Sequence, residues 1–170
     1  MFLYLDWVKE LNRNVDKEHV AYHEAAHAVV AVLKEIDFEY VTIKPNNKSA
    51  GHVHLINQPE INPANIRHPE QRNYIDRRTV YCFAGTYAGM KITGESLMGY
   101  LQQYGSQDYD IIHKLIDKLF ECERDILLYS LSAQVEAKRL IEQSWPAIKR
   151  VASALLKKET LQKDKVKALI

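Results

Sequence analysis

The sequence predicts a predominantly helical α+β fold. Most of the chain carries apolar residues at helical spacing, one pair of short β-branched and aromatic runs supplies a small hairpin or sheet, and a proline-rich stretch separates that pair from the helices that follow. With 170 residues, 46% of them hydrophobic, the chain is long enough to bury a core of its own. No internal repeat or linker interrupts it, so residues 1–170 read as one domain.

The first element is the clearest. Residues Glu18 to Glu35 contain no Gly or Pro and are rich in Ala, Val and Leu, and Asp16 stands where an N-cap would precede them. Val20, Ala21, Ala25, Ala28, Val29, Ala31 and Val32 surround nearly the whole cylinder, which predicts a helix buried between other elements. Phe38 to Lys44 and Gly51 to Leu55 read as two short strands around the turn-like Asn46 to Ser49. Pro59, Pro63 and Pro69 make Asn57 to Glu70 a loop. A second helix is predicted over Tyr74 to Met90, with Gly94 and Gly99 in an irregular stretch beyond it. A third starts behind Ser106 and runs to about Cys122, and two more cover Asp125 to Glu142 and Pro146 to Lys158, with Trp145-Pro146 as a helix start. A short helix from Lys163 to Ile170 closes this C-terminal helical bundle.

Composition excludes several classes of function. The formal charge of +1 offers no bulk attraction to nucleic acid or to an anionic membrane surface. No run reaches the roughly 18 apolar residues of a membrane span. Cys82 and Cys122 are too few for a disulfide scaffold and lack the paired spacing of a thiolate metal site. The N-terminal residues Met1 to Asn14 mix Phe2, Leu3, Leu5, Trp7 and Val8 with Asp6, Lys9 and Glu10, unlike an export signal. A soluble, cytoplasmic protein is the expectation. Gly94 to Gly99 has the glycine spacing of a phosphate loop, but Tyr100-Leu101 replaces the Lys-Ser/Thr pair such a loop needs, so no ATPase activity is expected of this chain.

The chemistry-bearing pattern is His23-Glu24-Ala25-Ala26-His27, an H-E-x-x-H sequence inside the first helix. Positions four apart lie one turn along the axis and about 40° apart in azimuth, so both imidazoles reach one point in space. Zn²⁺ accepts neutral imidazole nitrogen, and the intervening Glu24 is disposed to act on a water beside the metal. A shuffled sequence of this composition gives the bare pattern about two times in a hundred, so context has to carry it. Ala25, Ala26, Ala28, Val29 and Val30 crowd the same turns, and burying two His and a Glu unpaired would cost about 2 kcal/mol or more per group. A metal would satisfy them; bonds from the two imidazoles to carbonyls or carboxylates in the core are the alternative. A catalytic site also needs a third protein ligand. Asp108 shares an apolar stripe with Ile112, Leu115 and Leu119, whereas Asp110 lies with Lys114, Asp117 and Glu121 on a polar face. Asp108 is therefore the better candidate, against the reading that both are first-turn acids complementing a helix dipole. His52 and His54 share one strand face, where they would flank the cleft or form only the polar side of an edge strand. Nothing singles out Tyr22, and Lys149, Arg150, Lys157 and Lys158 read as a solvated helix face.

The run Ala21 to Ala31, Val41-Thr42-Ile43-Lys44-Pro45 followed by Gly51, Ala84-Gly85, Ser106-Gln107-Asp108, and Ala152 to Leu161 together, in order, resemble the peptidase domain of FtsH-type ATP-dependent zinc metalloproteases. The resemblance covers most of the chain. It implies a zinc metalloendopeptidase with His23, His27 and Asp108 as metal ligands and Glu24 as the acid/base, and it implies helices over Ala152 to Leu161. It departs from the family at Ala26, where Gly is usual, and at Thr86-Tyr87-Ala88-Gly89, which lacks the usual Arg and Glu. Nothing in residues 1–170 resembles the ATPase module or the membrane anchor of that family, and neither is expected here. The expected substrate is therefore an unfolded or flexible polypeptide, or one delivered by a separate ATPase or unfoldase, and a ring or other homo-oligomer is allowed but not demanded. An extended substrate would add along the edge of the Phe38 to Leu55 hairpin. A metal-bound but catalytically idle regulatory module of a larger protease and a metal-free helical domain are the competing readings.

Overall fold

Residues 2–47, 49–62, 66, 68–104, 107–117 and 119–170 are described by the computed structural model. The first helix, α1, spans Phe2–Leu33 and starts well before the predicted boundary. Asp16 is thus an interior helical residue and not an N-cap. No Gly or Pro occurs anywhere before Pro45, so nothing in the sequence stops the helix from extending backwards. Its C-terminus closes with the Ile36 amide donating to the Ala31 carbonyl at 2.8 Å and Glu35 in the left-handed region at φ 51°, a Schellman closure with Glu where Gly is usual.

The two predicted strands are β1, Phe38–Thr42, and β2, His52–Leu55, paired antiparallel with Val41 opposite Val53. A third strand, β3 (Thr160–Gln162), pairs with the other edge of β1, giving the order β2-β1-β3. This corrects the helical expectation for Thr160 and Leu161: the Glu159 backbone turns left-handed at φ 61° and ends the preceding helix, and Leu161 is then buried opposite Val41.

The second predicted helix is longer at both ends: α2 covers Pro69–Thr93. Pro69 begins the helix instead of breaking it, because the first turn needs no N–H from that residue, and Gly94 caps the other end at φ 74°. Gly99 lies inside a short helix, α3 (Leu97–Tyr104), and not in the irregular stretch expected beyond Gly94. The next helix, α4, spans Gln107–Ile116 and stops short of Cys122; Ser106 lies outside the described residues. The two helices expected around Trp145-Pro146 are a single one, α5, over Glu123–Lys158. Interior proline costs a helix about 3 kcal/mol, but Ile141, Ala147, Ile148 and Val151 on either side of Pro146 are buried, and Trp145 stacks on Tyr22 at 5.5 Å. The closing helix α6 is shorter than expected, Lys163–Lys167.

The centre of the fold is the apolar second half of α1. Ala21, Ala25, Ala26, Ala28, Val29, Val30 and Ala31 are all fully buried, with α2 and α5 packed along it and the sheet against one side. Small residues permit that close packing, and it leaves His23, Glu24 and His27 where α1 meets α2. No helix among the described residues is long and apolar enough to cross a membrane.

Candidate metal centre

The H-E-x-x-H turn of α1 projects His23 and His27 toward the N-terminal turn of α4, where Asp108 sits. His23 Nε2 and His27 Nε2 are 3.1 Å apart, and Asp108 Oδ2 lies 3.2 Å from the first and 3.1 Å from the second. The local reason is the stripe seen in the sequence: Ile112, Leu115 and Leu119 are buried, which turns Asp108 inward, while Asp110 is exposed. Burial pushes the Asp108 carboxyl up, but the His27 and His23 rings outweigh it and hold the group well below the ordinary carboxylate range, so it enters the site as an anion.

The outer nitrogens decide what the inner ones offer. His27 Nδ1 lies 2.9 Å from the Tyr81 carbonyl, which only accepts, so Nδ1 carries a proton and Nε2 is the nitrogen turned inward toward His23 and Asp108. Tyr100 Oη stands 2.6 Å from His19 Nε2 and 2.9 Å from His23 Nδ1. A hydroxyl has one proton; the shorter contact suits its donation to His19 and the longer one suits acceptance from His23 Nδ1–H. Burial, reinforced by His23, lowers the His19 pKa to about 4, which keeps that ring neutral and able to accept. His23 Nε2 is then the nitrogen turned toward His27 and Asp108. With a divalent cation among them, two imidazole lone pairs and a carboxylate oxygen would converge on it; without one, protons on the rings make the same short contacts to the carboxylate. Corners of a tetrahedron with arms of about 2.1 Å are about 3.4 Å apart, slightly wider than the 3.1–3.2 Å found, and the donor set suits Zn²⁺ and related divalent ions.

Space is kept for such an ion by a residue of α2. A Cβ on Gly85 would stand 2.3 Å from His27 Nε2 and 2.5 Å from His23 Nε2, in the gap between the two imidazoles. One turn on, a Cβ on Gly89 would stand 2.2 Å from Tyr100 Oη. The pair of glycines lets α2 back the whole relay from His19 to His27.

Glu24 is buried beside this cluster, and burial raises its pKa to about 7, with His23 opposing and Asp108 adding to the shift. A carboxyl poised near neutrality both takes and returns protons at physiological pH. Gly51, just before β2, presses on it: a Cβ there would lie 2.8 Å from Glu24 Cγ. The cluster opens into a cleft of about 470 Å³ whose walls include Gly51 to Val53 and Leu55, Tyr81, Arg78, Tyr100, Tyr104 and Tyr109. Arg78 Nη1 and Tyr109 Oη in those walls are buried without hydrogen-bond partners.

Of the residues singled out from the sequence, His23, Glu24, His27 and Asp108 meet here, and His52 lines the same cleft within 3.4 Å of Tyr40 Oη. His54 does not; it is exposed, 3.7 Å from Glu39. Tyr22 packs on Trp145 instead. His19, Gly51, Arg78, Gly85, Gly89 and Tyr100 escaped the sequence reading as parts of the site. His19 extends the imidazole spacing of His23 and His27 by one more turn, and Gly85 and Gly89 are a helical small-residue pair, so both signals were present. No local pattern marks Tyr100 or Arg78. No known family profile matches the chain, and no curated protein sequence matches it.

Proposed function

We propose that this protein is a zinc-dependent metallopeptidase that hydrolyses peptide bonds in unfolded or flexible polypeptides, as its resemblance to FtsH-type peptidase domains implies. The reading rests on one observation: the convergence of His23 Nε2, His27 Nε2 and Asp108 Oδ2 within 3.2 Å of one another beside a buried glutamate. When bound there, Zn²⁺ supplies Lewis-acid polarisation and lowers the pKa of water toward about 7.

The chain's own residues supply the rest. Glu24 accepts a proton from the attacking water and returns it to the departing amine, so a single carboxyl serves both steps. Its pKa of about 7 suits both transfers. Tyr81 and Tyr100 hold the two imidazoles in the orientation that ligation needs. β2 forms one wall of the cleft and is an edge of the sheet, so an extended chain added along it would gain backbone hydrogen bonds with little demand on sequence. A folded protein cannot present such a strand, so a separate unfoldase is the natural partner for folded substrates.

The test is metal content followed by hydrolysis of a casein or peptide substrate, comparing wild type with Glu24→Gln. The reading expects one equivalent of zinc in both and a loss of turnover of at least 100-fold in the variant. Wild type that retains no zinc, or a variant cleaving at near wild-type rate, would refute it. Zinc without hydrolysis in wild type would instead make the chain a metal-bound regulatory module.

A further inference from the structure

We infer that Arg78 is the anchor for a carboxylate group of the substrate, which makes carboxylate-bearing peptides the preferred class; this rests on the reading of the cleft as a peptidase site. Arg78 lies on α2 in the wall of the cleft. Its guanidinium stacks over the Tyr81 ring, with Cζ 4.5 Å from the centroid, and Nη1 is buried with no hydrogen-bond partner. No carboxylate pairs with it among the described residues; its neighbour Arg77 also has a buried nitrogen without a partner, Nε, but donates through Nη1 to the Lys34 carbonyl at 3.1 Å and lies outside the cleft lining.

A largely buried, fork-shaped cation without a counter-charge is costly, and structures keep such groups where a ligand completes them. The Tyr81 side chain offers partial compensation only, by its ring face and its hydroxyl, because a neutral phenol is a weaker partner than an anion. The position fits a role in recognition. The Tyr81 ring that carries the guanidinium is also the neighbour of the His27 ring, at 4.6 Å between centroids, and its carbonyl accepts from His27 Nδ1. One aromatic ring therefore separates Arg78 from the metal cluster. Arg78 and Glu24 line the same cleft, so a peptide whose cleaved bond faces Glu24 can bring a nearby carboxylate to Arg78. Two sources share this chemistry: the terminal carboxylate of a peptide and an Asp or Glu side chain.

The test measures binding without turnover or metal. Dansyl-Ala-Ala-Ala-Phe with a free carboxylate, the same peptide as its amide, and amidated peptides carrying Glu or Gln at the last position are titrated by fluorescence anisotropy against the full chain in EDTA. The expected result is binding of the acid over the amide, or of Glu over Gln, by about 10- to 100-fold, the worth of a charge-assisted bidentate pair. A preference for the acid alone identifies chain ends as the source, and one for Glu over Gln identifies side chains. Arg78→Met should bring that ratio to within twofold of unity, and Arg78→Lys should leave it in between. Equal binding of acid and amide and of Glu and Gln by wild type would overturn the inference whether or not either variant folds. So would an undiminished ratio in a folded Arg78→Met protein. Failure of the metallopeptidase reading shows itself separately, in zinc content and in Glu24→Gln turnover.

Discussion

Replacing Gly85 with Ala adds one methyl group and puts it in the gap between the two imidazoles. The new Cβ would lie 2.3 Å from His27 Nε2 and 2.5 Å from His23 Nε2, whereas ordinary contact begins at 3.4 Å. Each ring must therefore retreat by about 1 Å, in an interior packed too tightly to absorb it freely. Metal sites tolerate displacements of about 0.2 Å, so the donor set is broken even if both rings stay on the same side of α1. The helix itself has the opposite preference, since Ala in place of an interior Gly favours helix by about 1 kcal/mol. Two observables should therefore separate. Far-UV circular dichroism of Gly85→Ala should show wild-type helicity, while zinc affinity, read by competition with a chromogenic chelator, should fall by at least 100-fold, the upper end of what losing an orienting partner costs. A folded Gly85→Ala protein that binds zinc within threefold of wild type would refute the reasoning that this glycine holds open an ion site.

Tyr100→Phe keeps the ring but removes the oxygen between His19 and His23. Zinc affinity should fall by about 10- to 100-fold, and ¹⁵N chemical shifts of metal-free protein should show His23 losing its single Nδ1–H tautomer; an unchanged tautomer would remove Tyr100 from the relay. Glu35→Gly relieves a left-handed residue at the end of α1 and should raise stability by about 0.5–1 kcal/mol in urea unfolding; a loss of stability would contradict the Schellman assignment. Hydrogen bonds from Arg139 and then Lys34 lower the Glu136 pKa from 4.5 to about 2. Because the folded value lies below the ordinary one, the stabilisation is fully present above pH 4.5 and is lost as pH falls from there toward 2. The partly exposed cluster is screened by solvent, so the contribution is about 1 kcal/mol or less. Metal-free Glu136→Gln should unfold with a correspondingly flatter pH dependence across that window, and an identical slope would show the pair to be energetically idle.

The division between sequence and tertiary structure follows the range of the forces. A four-residue spacing on a helix is local geometry, so His23, Glu24 and His27 were legible at once. Asp108, 85 residues from His23, was legible as well because amphipathicity is a local code for which side of α4 is buried. The boundaries of α1 and α5 were less so. Asp16 has the chemistry of a cap and Pro146 that of a start, but in each case the surrounding turns decide whether that preference is used, and at Pro146 burial of Ile148 and Val151 outweighs it. β3 was not legible, since three residues acquire strand geometry only by pairing with β1, more than a hundred residues away.

By itself, the sequence determined the helical character of the chain, the hairpin, the inward face of each amphipathic helix, and two histidines one turn apart with a glutamate between them. These depend on periodicity and on what each residue can do within one or two turns. Only the tertiary structure decided that Tyr100 would stand between two histidines, that Gly85 and Gly89 would face the imidazoles and Tyr100, and that Arg78 would be left in the cleft wall without an anion. Those juxtapositions arise where α1, α2 and α3 cross, and no residue's own preference encodes which distant partner the packing will bring to it.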